Sequence, residues 1–156
     1  MIYYINTISK VADKLHEAQK KIVLATGFFD LLHEEHIHFL RAAKAVGDIL
    51  IVAVESDERA RVLKGEGRPI ETQSLRLTKL TPFADYLISL GADFNNPQAF
   101  ESLIAAVKPT HLAVSSHTAH QDKKAALVKK YGGTLKIVHT HNPSVSTTIQ
   151  IQQKHV

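Results

Sequence analysis

Two histidines in the segment 27-GFFDLLHEEHIHFLRAAK-44 are spaced to act together on one ligand. His33 and His36 are three positions apart, and side chains with this spacing share a face of a helix. Two imidazoles placed there could donate hydrogen bonds to phosphate oxygens and stabilise the charge that develops during phosphoryl or nucleotidyl transfer. The charged first turn of an ordinary helix is the alternative. A protease-like zinc site is disfavoured, because the histidines of HExxH are four positions apart.

A second candidate is a group of cations around one glycine-containing loop, 64-KGEGRPIETQSLR-76. Lys64, Arg68 and Arg76 belong to this segment, and Lys44 lies on the helical segment before it. Such a set suits a polyphosphate, over which mobile cations can fold. A solvated loop is the alternative.

Two turns that lead into helices are candidates for anion binding. Gly27 ends an apolar run and allows a close approach of backbone before the next helix. Free N–H groups and the helix dipole at such a turn both point at an anion. Near the end of the chain, 144-SVSTTIQI-151 predicts a helix start at which Ser146, Thr147 and Thr148 could bind phosphate. Helix capping alone is the alternative for these hydroxyls.

The elements that position these residues follow from the apolar pattern. Runs rich in Val, Ile and Leu, with little polar alternation, predict strands covered on both faces at 21–26, 49–56, 85–90, 111–116 and 134–140. Segments with a period of 3.6 residues predict helices at 7–19, 34–46, 73–81, 97–107, 119–131 and 146–154. This alternation predicts an α/β fold with a doubly wound, five-stranded parallel sheet. We expect a single domain over residues 1–156.

A parallel sheet of this type places its ligand outside the carboxyl ends of the strands, where the strand order reverses. The segments that follow the first, second, fourth and fifth predicted strands are 27–36, 57–69, 115–124 and 141–148. We therefore expect all four to converge on one crevice.

Composition limits the class of partner. The 156 residues carry a net charge of +4 and a pI of about 9.3, which suits an anionic ligand. Aromatic residues make up only 6% and no dense basic block occurs, so we expect no nucleic-acid partner. There is no cysteine, which excludes disulfides, thiolate zinc sites and a cysteine nucleophile. No apolar run approaches the roughly 20 residues of a membrane span, and no signal peptide is evident, so we expect a cytoplasmic protein without a membrane partner.

Together these segments resemble the cytidylyltransferase-like nucleotidyltransferases, whose signature GxFDxxHxGH follows the first strand of a Rossmann-like domain. The stretch 27–44 matches this signature except at Glu35, which takes the place of the glycine. The stretch 53-AVESDERARVLKGEGRPIETQSLR-76 resembles the second block of the family, and 145-VSTTIQI-151 resembles its STT helix start. Two features most resemble the adenylyltransferase domain of ADP-heptose synthases. They are the sequence of the segment 63-LKGEGRP-69 and an amphipathic helix before the first strand.

The resemblance implies transfer of a nucleoside monophosphate, with AMP from ATP preferred, to a phosphorylated small molecule such as a sugar phosphate. Pyrophosphate would be released, Mg²⁺ would accompany the triphosphate, and a homodimer is implied. The catalytic residues would be His33, His36, Lys44, Lys64 and Arg76. The nucleotide-binding residues would be Thr26, Gly27, Phe28, Phe29, Asp30, Glu35, Arg68, Ser115, His117, Ser146, Thr147 and Thr148.

Two departures from the family pattern keep alternatives open. Glu35 could point outward, help to hold Mg²⁺, or mark lost catalysis. The loop 114-VSSHTAHQDK-123 stands where the heptose-phosphate branch carries a KGGDY-like sequence. One alternative is a catalytically impaired nucleotide-binding or regulatory module, and another is a cytidylyltransferase that uses glycerol phosphate or a related polar acceptor. A third is metal binding or metal-dependent hydrolysis through His33, His36 and the loop that carries His117 and His120.

Overall fold

The computed structural model describes residues 2–140. The predicted helix 146–154 and the predicted phosphate-binding residues Ser146, Thr147 and Thr148 lie outside the described residues. In chain order the elements are β1 (Ile2–Tyr3), α1 (Ile5–Glu17), β2 (Ile22–Gly27), α2 (Glu34–Ala45), β3 (Ile49–Val54), α3 (Asp57–Lys64), α4 (Gln73–Leu80), β4 (Tyr86–Ser89), α5 (Pro97–Val107), β5 (His111–Ser115), α6 (Gln121–Lys130) and β6 (Thr134–His139).

Within residues 2–140 the strands form one parallel sheet in the order β1-β4-β3-β2-β5-β6. The predicted fold class and the five predicted strands are confirmed. The predicted number of strands was wrong, because β1 pairs with β4 as a sixth strand at the edge. A strand of two residues is too short to show a periodic pattern.

One helix was not predicted from the sequence. Residues 57–64 were expected in a loop but form α3, which buries only Ala60 and therefore lacks an apolar face. Its ends are nevertheless marked in the sequence. The Ser56 hydroxyl accepts a hydrogen bond from the Arg59 backbone N–H at 3.1 Å, and Gly65, with φ of 95°, ends the helix. A polar helix with good caps escapes a search based on hydrophobic periodicity.

Helices cover both faces of the sheet, and each face has its own core. On one face α1, α5 and α6 pack through residues such as Ile8, Leu103 and Val128. On the other face α2 and α4 pack through residues such as Leu40 and Leu80. None of the helices among residues 2–140 has the length and apolar character of a membrane-spanning helix.

The strand order reverses at β2. The chain adds β3 and β4 on one side of β2, then crosses over to add β5 and β6 on the other side. The crevice expected between the loops that follow β2, β3, β5 and β6 therefore has a defined place, at the carboxyl end of β2. The last of these loops, 141–148, lies outside the described residues.

Candidate active site

A crevice of about 550 Å³ lies at this switch point. It collects side chains from the ends of β2, β3 and β5 and from helices on both faces of the sheet. Most of the predicted site residues in the described range line it, although their roles stay predictions. The predicted residues in its wall are Thr26, Gly27, Phe28, Phe29, Asp30, His33, Glu35, His36, Lys64, Ser115 and His117.

The two motif histidines form a stacked pair at the start of α2. Their ring centroids are 3.8 Å apart and the rings are inclined by only 17°. The ring of His36 also packs edge-on against Phe29, at 5.6 Å between centroids. The backbone N–H of His33 donates to Nδ1 of His36 at 3.3 Å. Because Nδ1 accepts this bond, neutral His36 carries its proton on Nε2, which is left to donate to a ligand.

Both histidines have a lowered pKa, which favours the neutral imidazole at pH 7. Burial, together with the nearby His33 and Lys64, lowers the pKa of His36 to about 3, against the opposing effect of Asp30. Burial also lowers the pKa of His33, against the carboxylates of Glu35 and Glu34. The pair therefore offers N–H donors to an anion, and the positive charge of the crevice comes from lysines.

Lys64 is one of those lysines. It ends α3, and its Nζ lies 4.9 Å from the centroid of the Phe28 ring. Burial lowers its pKa, and the positive charge of Arg68 lowers it further. The lysine is thus held beside the turn that follows β2, where phosphate oxygens would meet the start of α2.

Asp30, a predicted nucleotide-binding residue, organises the wall of the crevice. Its buried carboxylate accepts hydrogen bonds from the backbone N–H groups of Ile70 at 2.8 Å and Glu71 at 3.0 Å. Arg68 pairs with the same carboxylate at 3.4 Å, and its side chain is nearly buried. The loop after α3 is therefore anchored to the turn after β2. Arg68 lies against this anchor and not in the lining of the crevice.

The comparison with known proteins agrees with this geometry. The sequence profile of the cytidylyltransferase-like family matches residues 24–152, which include every residue that lines the crevice. The chain belongs to the cytidylyltransferase-like family. The resemblance seen in the sequence is thereby confirmed.

Curated relatives are similar over most of this chain. The protein named "Bifunctional protein HldE" is 32% identical over 145 residues in Desulfatibacillum aliphaticivorans, which is 91% of this chain and 29% of that protein. The protein of the same name from Pseudomonas putida (strain GB-1) is 37% identical over 141 residues, 88% of this chain and 28% of that protein. The chain thus spans less than a third of the length of these relatives. They confirm the resemblance to ADP-heptose synthases.

Solved structures share the fold. The lipopolysaccharide core biosynthesis protein from Thermoplasma volcanium GSS1 superimposes with a TM-score of 0.61 at 31% identity, over 79% of this chain and 98% of that one. Pantoate-beta-alanine ligase from Francisella tularensis superimposes with a TM-score of 0.62 over 99% of this chain and 77% of that one. Its identity is only 16%, so this second likeness concerns the fold alone.

The position of the family's motif glycine is occupied by a paired carboxylate. Glu35 accepts a hydrogen bond from Nε2 of His139, at the end of β6, and both side chains are mostly buried in the crevice wall. The pair connects the start of α2 to the edge strand β6. Glu35 also lies in the first turn of α2, where a carboxylate is favoured by the positive end of the helix dipole. The Glu35 carboxylate is thus stabilised by the hydrogen bond from His139 and by the helix dipole.

Two predicted catalytic residues of the family pattern lie outside the crevice lining. Lys44 is in the last turn of α2, about 15 Å along the helix from its start, and its Nζ donates to the Asp85 carboxylate at 2.6 Å and to the Asp48 carbonyl. Arg76 is fully buried and donates to three backbone carbonyls and to Asp57. Both cations are bound by protein groups in this structure, so their direct contact with phosphate stays a prediction from the sequence.

Several crevice residues were missed in the sequence. Glu55 and His139 lie at the carboxyl ends of β3 and β6, so the rule for parallel sheets could have found them. Thr118 and Lys124 lie in the predicted segment 115–124, although neither was singled out. Phe39 of α2 and Phe100 of α5 carry no local signal, because apolar residues in a helix predict core packing and not a place in a crevice. The missed residues are Phe39, Glu55, Phe100, Thr118, Lys124 and His139.

The structure gives no support to the metal alternative. Among residues 2–140 no group of three or more histidine and carboxylate side chains is arranged to hold a metal ion. His117 lines the crevice, where its Nδ1 lies 2.9 Å from the Ser115 hydroxyl, but the exposed His120 lies outside the lining. Among the described residues, His33, His36, His117 and His120 therefore do not form a common metal site.

Proposed function

We propose that this chain is a nucleotidyltransferase that transfers AMP from ATP to the phosphate of a small phosphorylated molecule and releases pyrophosphate. The observation that carries the proposal is the stacked pair His33 and His36, both with a lowered pKa, which lines a crevice that also contains Lys64. Membership of the cytidylyltransferase-like family supports it.

The reaction needs no protein nucleophile. A phosphate oxygen of the acceptor attacks the α-phosphorus of ATP and forms a new P–O bond. The bond from the α-phosphorus to the bridging oxygen breaks, and its electron pair leaves with pyrophosphate. His33 and His36 donate hydrogen bonds to phosphate oxygens whose negative charge increases in the transition state. The backbone N–H groups at the start of α2 also stabilise this charge, and Lys64 offsets the charge on the leaving pyrophosphate. Positioning and electrostatics account for the catalysis.

The choice of nucleotide and acceptor rests on the relatives. Two of them are named HldE, an ADP-heptose synthase, which favours ATP and a sugar phosphate over CTP and glycerol phosphate. Mg²⁺ would enter as part of the nucleotide substrate, because this ion keeps several waters and is bound largely through phosphates. Homodimerisation, a cytoplasmic location, the absence of a nucleic-acid partner and the single domain stay predictions from the sequence.

A second candidate function is nucleotide binding without turnover. The observation that favours it is Glu35, which places a side chain where the family motif has a glycine and which is held there by His139. Such a module would keep the crevice and its phosphate donors. It would lack room for two substrates to meet.

Release of pyrophosphate separates these two functions. The protein is incubated with Mg²⁺, with ATP or CTP, and with a panel of sugar and polyol phosphates. We expect release with at least one sugar phosphate, and faster release with ATP than with CTP. Nucleotide binding without release for any pair would reject the enzyme in favour of the binding module. Release with CTP and glycerol phosphate alone would correct the assigned substrates.

Replacing Glu35 with glycine tests whether the carboxylate is only tolerated. We expect Glu35→Gly to bind ATP about two- to fivefold more tightly, because a negative charge leaves the phosphate crevice. The matched control is Glu34→Gly, which removes the same charge and adds the same glycine in the first turn of α2 but lies outside the crevice. Calorimetric titration of both variants makes the comparison. Weaker binding by Glu35→Gly than by Glu34→Gly would show that Glu35 contributes to the site.

A further inference from the structure

His139 reaches the crevice through an irregularity in the edge strand β6. From Val114 to Ser115 the strand β5 advances by one residue, whereas its partner β6 advances by two, from Ile137 to His139. Val138 is therefore an extra residue, as in a β-bulge. Bulges occur often beside functional sites, where they redirect a side chain.

The bulge changes the face of the sheet to which His139 points. Side chains of a regular strand alternate between the two faces, so His139 would share the face of Leu135, which packs into the core of α1, α5 and α6. Val138 packs instead into the core of α2 and α4. His139 follows it to that face, where its Nε2 donates to Glu35 of α2. The Ser116 backbone N–H fixes this part of the chain by donating to the His139 carbonyl at 2.9 Å.

Glu35 depends on His139 for its position. Its side chain is 15% exposed and that of His139 is 20% exposed. Among residues 2–140 no lysine or arginine lies within 4.0 Å of the Glu35 carboxylate. Glu35 belongs to the first turn of α2, beside the histidine pair. The N–H groups of such a turn attract an anion, and Glu35 is itself an anion attached next to them.

We propose that His139 is a positioning residue, which holds the Glu35 carboxylate against the crevice wall and keeps it from occupying the phosphate position at the start of α2. Without this hydrogen bond the carboxylate would compete with the triphosphate, because it would accept the same hydrogen bonds and repel the phosphate charge. The role of His139 rests on the proposed binding of nucleotide at His33 and His36. It gives a physical reason why this chain can carry a carboxylate where the family motif has a glycine.

Replacing His139 with alanine releases the carboxylate. His139→Ala is expected to bind Mg²⁺–ATP about five- to tenfold more weakly than wild type in a calorimetric titration, because a like charge then competes for the phosphate position. The matched control is His38→Ala. It removes an exposed imidazole of α2 whose ring centroid lies 6.4 Å from that of His139 and which does not line the crevice. This control should bind ATP as tightly as wild type. Unchanged ATP affinity in His139→Ala would reject the positioning role.

Two further variants separate positioning from a merely structural role. If His139 acts through Glu35, the double variant that combines Glu35→Gly with His139→Ala should bind ATP within about twofold of Glu35→Gly alone. His139→Gln can donate an amide N–H to the carboxylate and should bind ATP within about threefold of wild type. A loss of affinity that persists in the double variant would show that His139 acts independently of Glu35, and would overturn the proposal.

Failure of this inference is distinct from failure of the proposed function, because the titrations contain no acceptor. The expected pattern of affinities without pyrophosphate release by wild type would support the role of His139 and reject the transferase. Pyrophosphate release by wild type, together with equal ATP affinity of wild type and His139→Ala, would reject the role of His139 alone. Absence of ATP binding to wild type would overturn this role together with the assigned nucleotide.

Discussion

Replacing His36 with alanine is expected to lower kcat/KM for pyrophosphate release by about 100- to 1000-fold, the usual effect of removing one donor that stabilises transition-state charge. The imidazole is stacked on His33 and packed on Phe29, so its orientation is set before a ligand arrives. Its Nδ1 is engaged by the His33 backbone, which directs the Nε2 proton to the ligand. Initial rates at saturating ATP and varied acceptor measure the loss.

Two further variants separate donation from packing. His36→Gln can present an amide N–H near the position of Nε2–H and is expected to recover at least about tenfold of the activity lost in alanine. His38→Ala removes an exposed histidine from the same helix and should leave the rate unchanged. Retention of most activity by His36→Ala would remove His36 from the mechanism.

The low pKa of His36 adds a pH signature to this expectation. Because burial, His33 and Lys64 lower the pKa to about 3, the ring stays neutral from pH 8 down to about pH 5. Protonation of His36 should therefore cause no loss of activity in that range. Nitrogen chemical shifts of the imidazole should report the Nε2–H form throughout, and a titration near the ordinary pKa of about 6.5 would contradict the buried geometry.

The elements with a strong apolar pattern were predictable from the sequence. The central strands carry runs of Val, Ile and Leu because both of their faces are covered. They therefore lack the alternation of apolar and polar residues, and their length and composition identify them as strands. The exceptions are elements without such a pattern. Strand β1 has only two residues, and α3 buries only Ala60. Neither element is therefore long or apolar enough to be found from its hydrophobic pattern.

The candidate site was predictable where its residues are close together in the chain. The histidines, the turn after β2 and Lys64 belong to two continuous segments, and their motif spacing identifies them. Lys124 belongs to the predicted segment 115–124 and His139 lies at the end of a predicted strand, but which side chains of these segments reach the crevice depends on the packing of α6 and the sheet, which no local pattern records. Lys44 and Arg76 are the opposite case, since they are close to the motifs in sequence but do not line the crevice.

Replacing Arg76 with methionine is expected to destabilise the protein by about 3–5 kcal/mol, the effect of breaking a buried ionic network by removing one partner. The guanidinium donates to the carbonyls of Glu71 at 3.1 Å, Phe28 at 2.8 Å and Glu55 at 3.0 Å. It also pairs with Asp57 at 2.6 Å. These carbonyls belong to three separate segments that surround the crevice. Methionine would leave them without a donor at a fully buried position. Urea denaturation measures the change in the free energy of unfolding.

The same helix supplies the control, because Lys79 pairs with Glu71 but has a side chain that is 44% exposed. Lys79→Met should cost no more than about 1 kcal/mol. The comparison also decides between the two roles considered for Arg76. If the guanidinium binds phosphate, its removal should leave a stable protein that binds nucleotide weakly. If it joins the segments around the crevice, its removal should first lower the stability of the protein. Stability of Arg76→Met within about 1 kcal/mol of wild type, with ATP affinity lost, would support the direct contact predicted from the sequence.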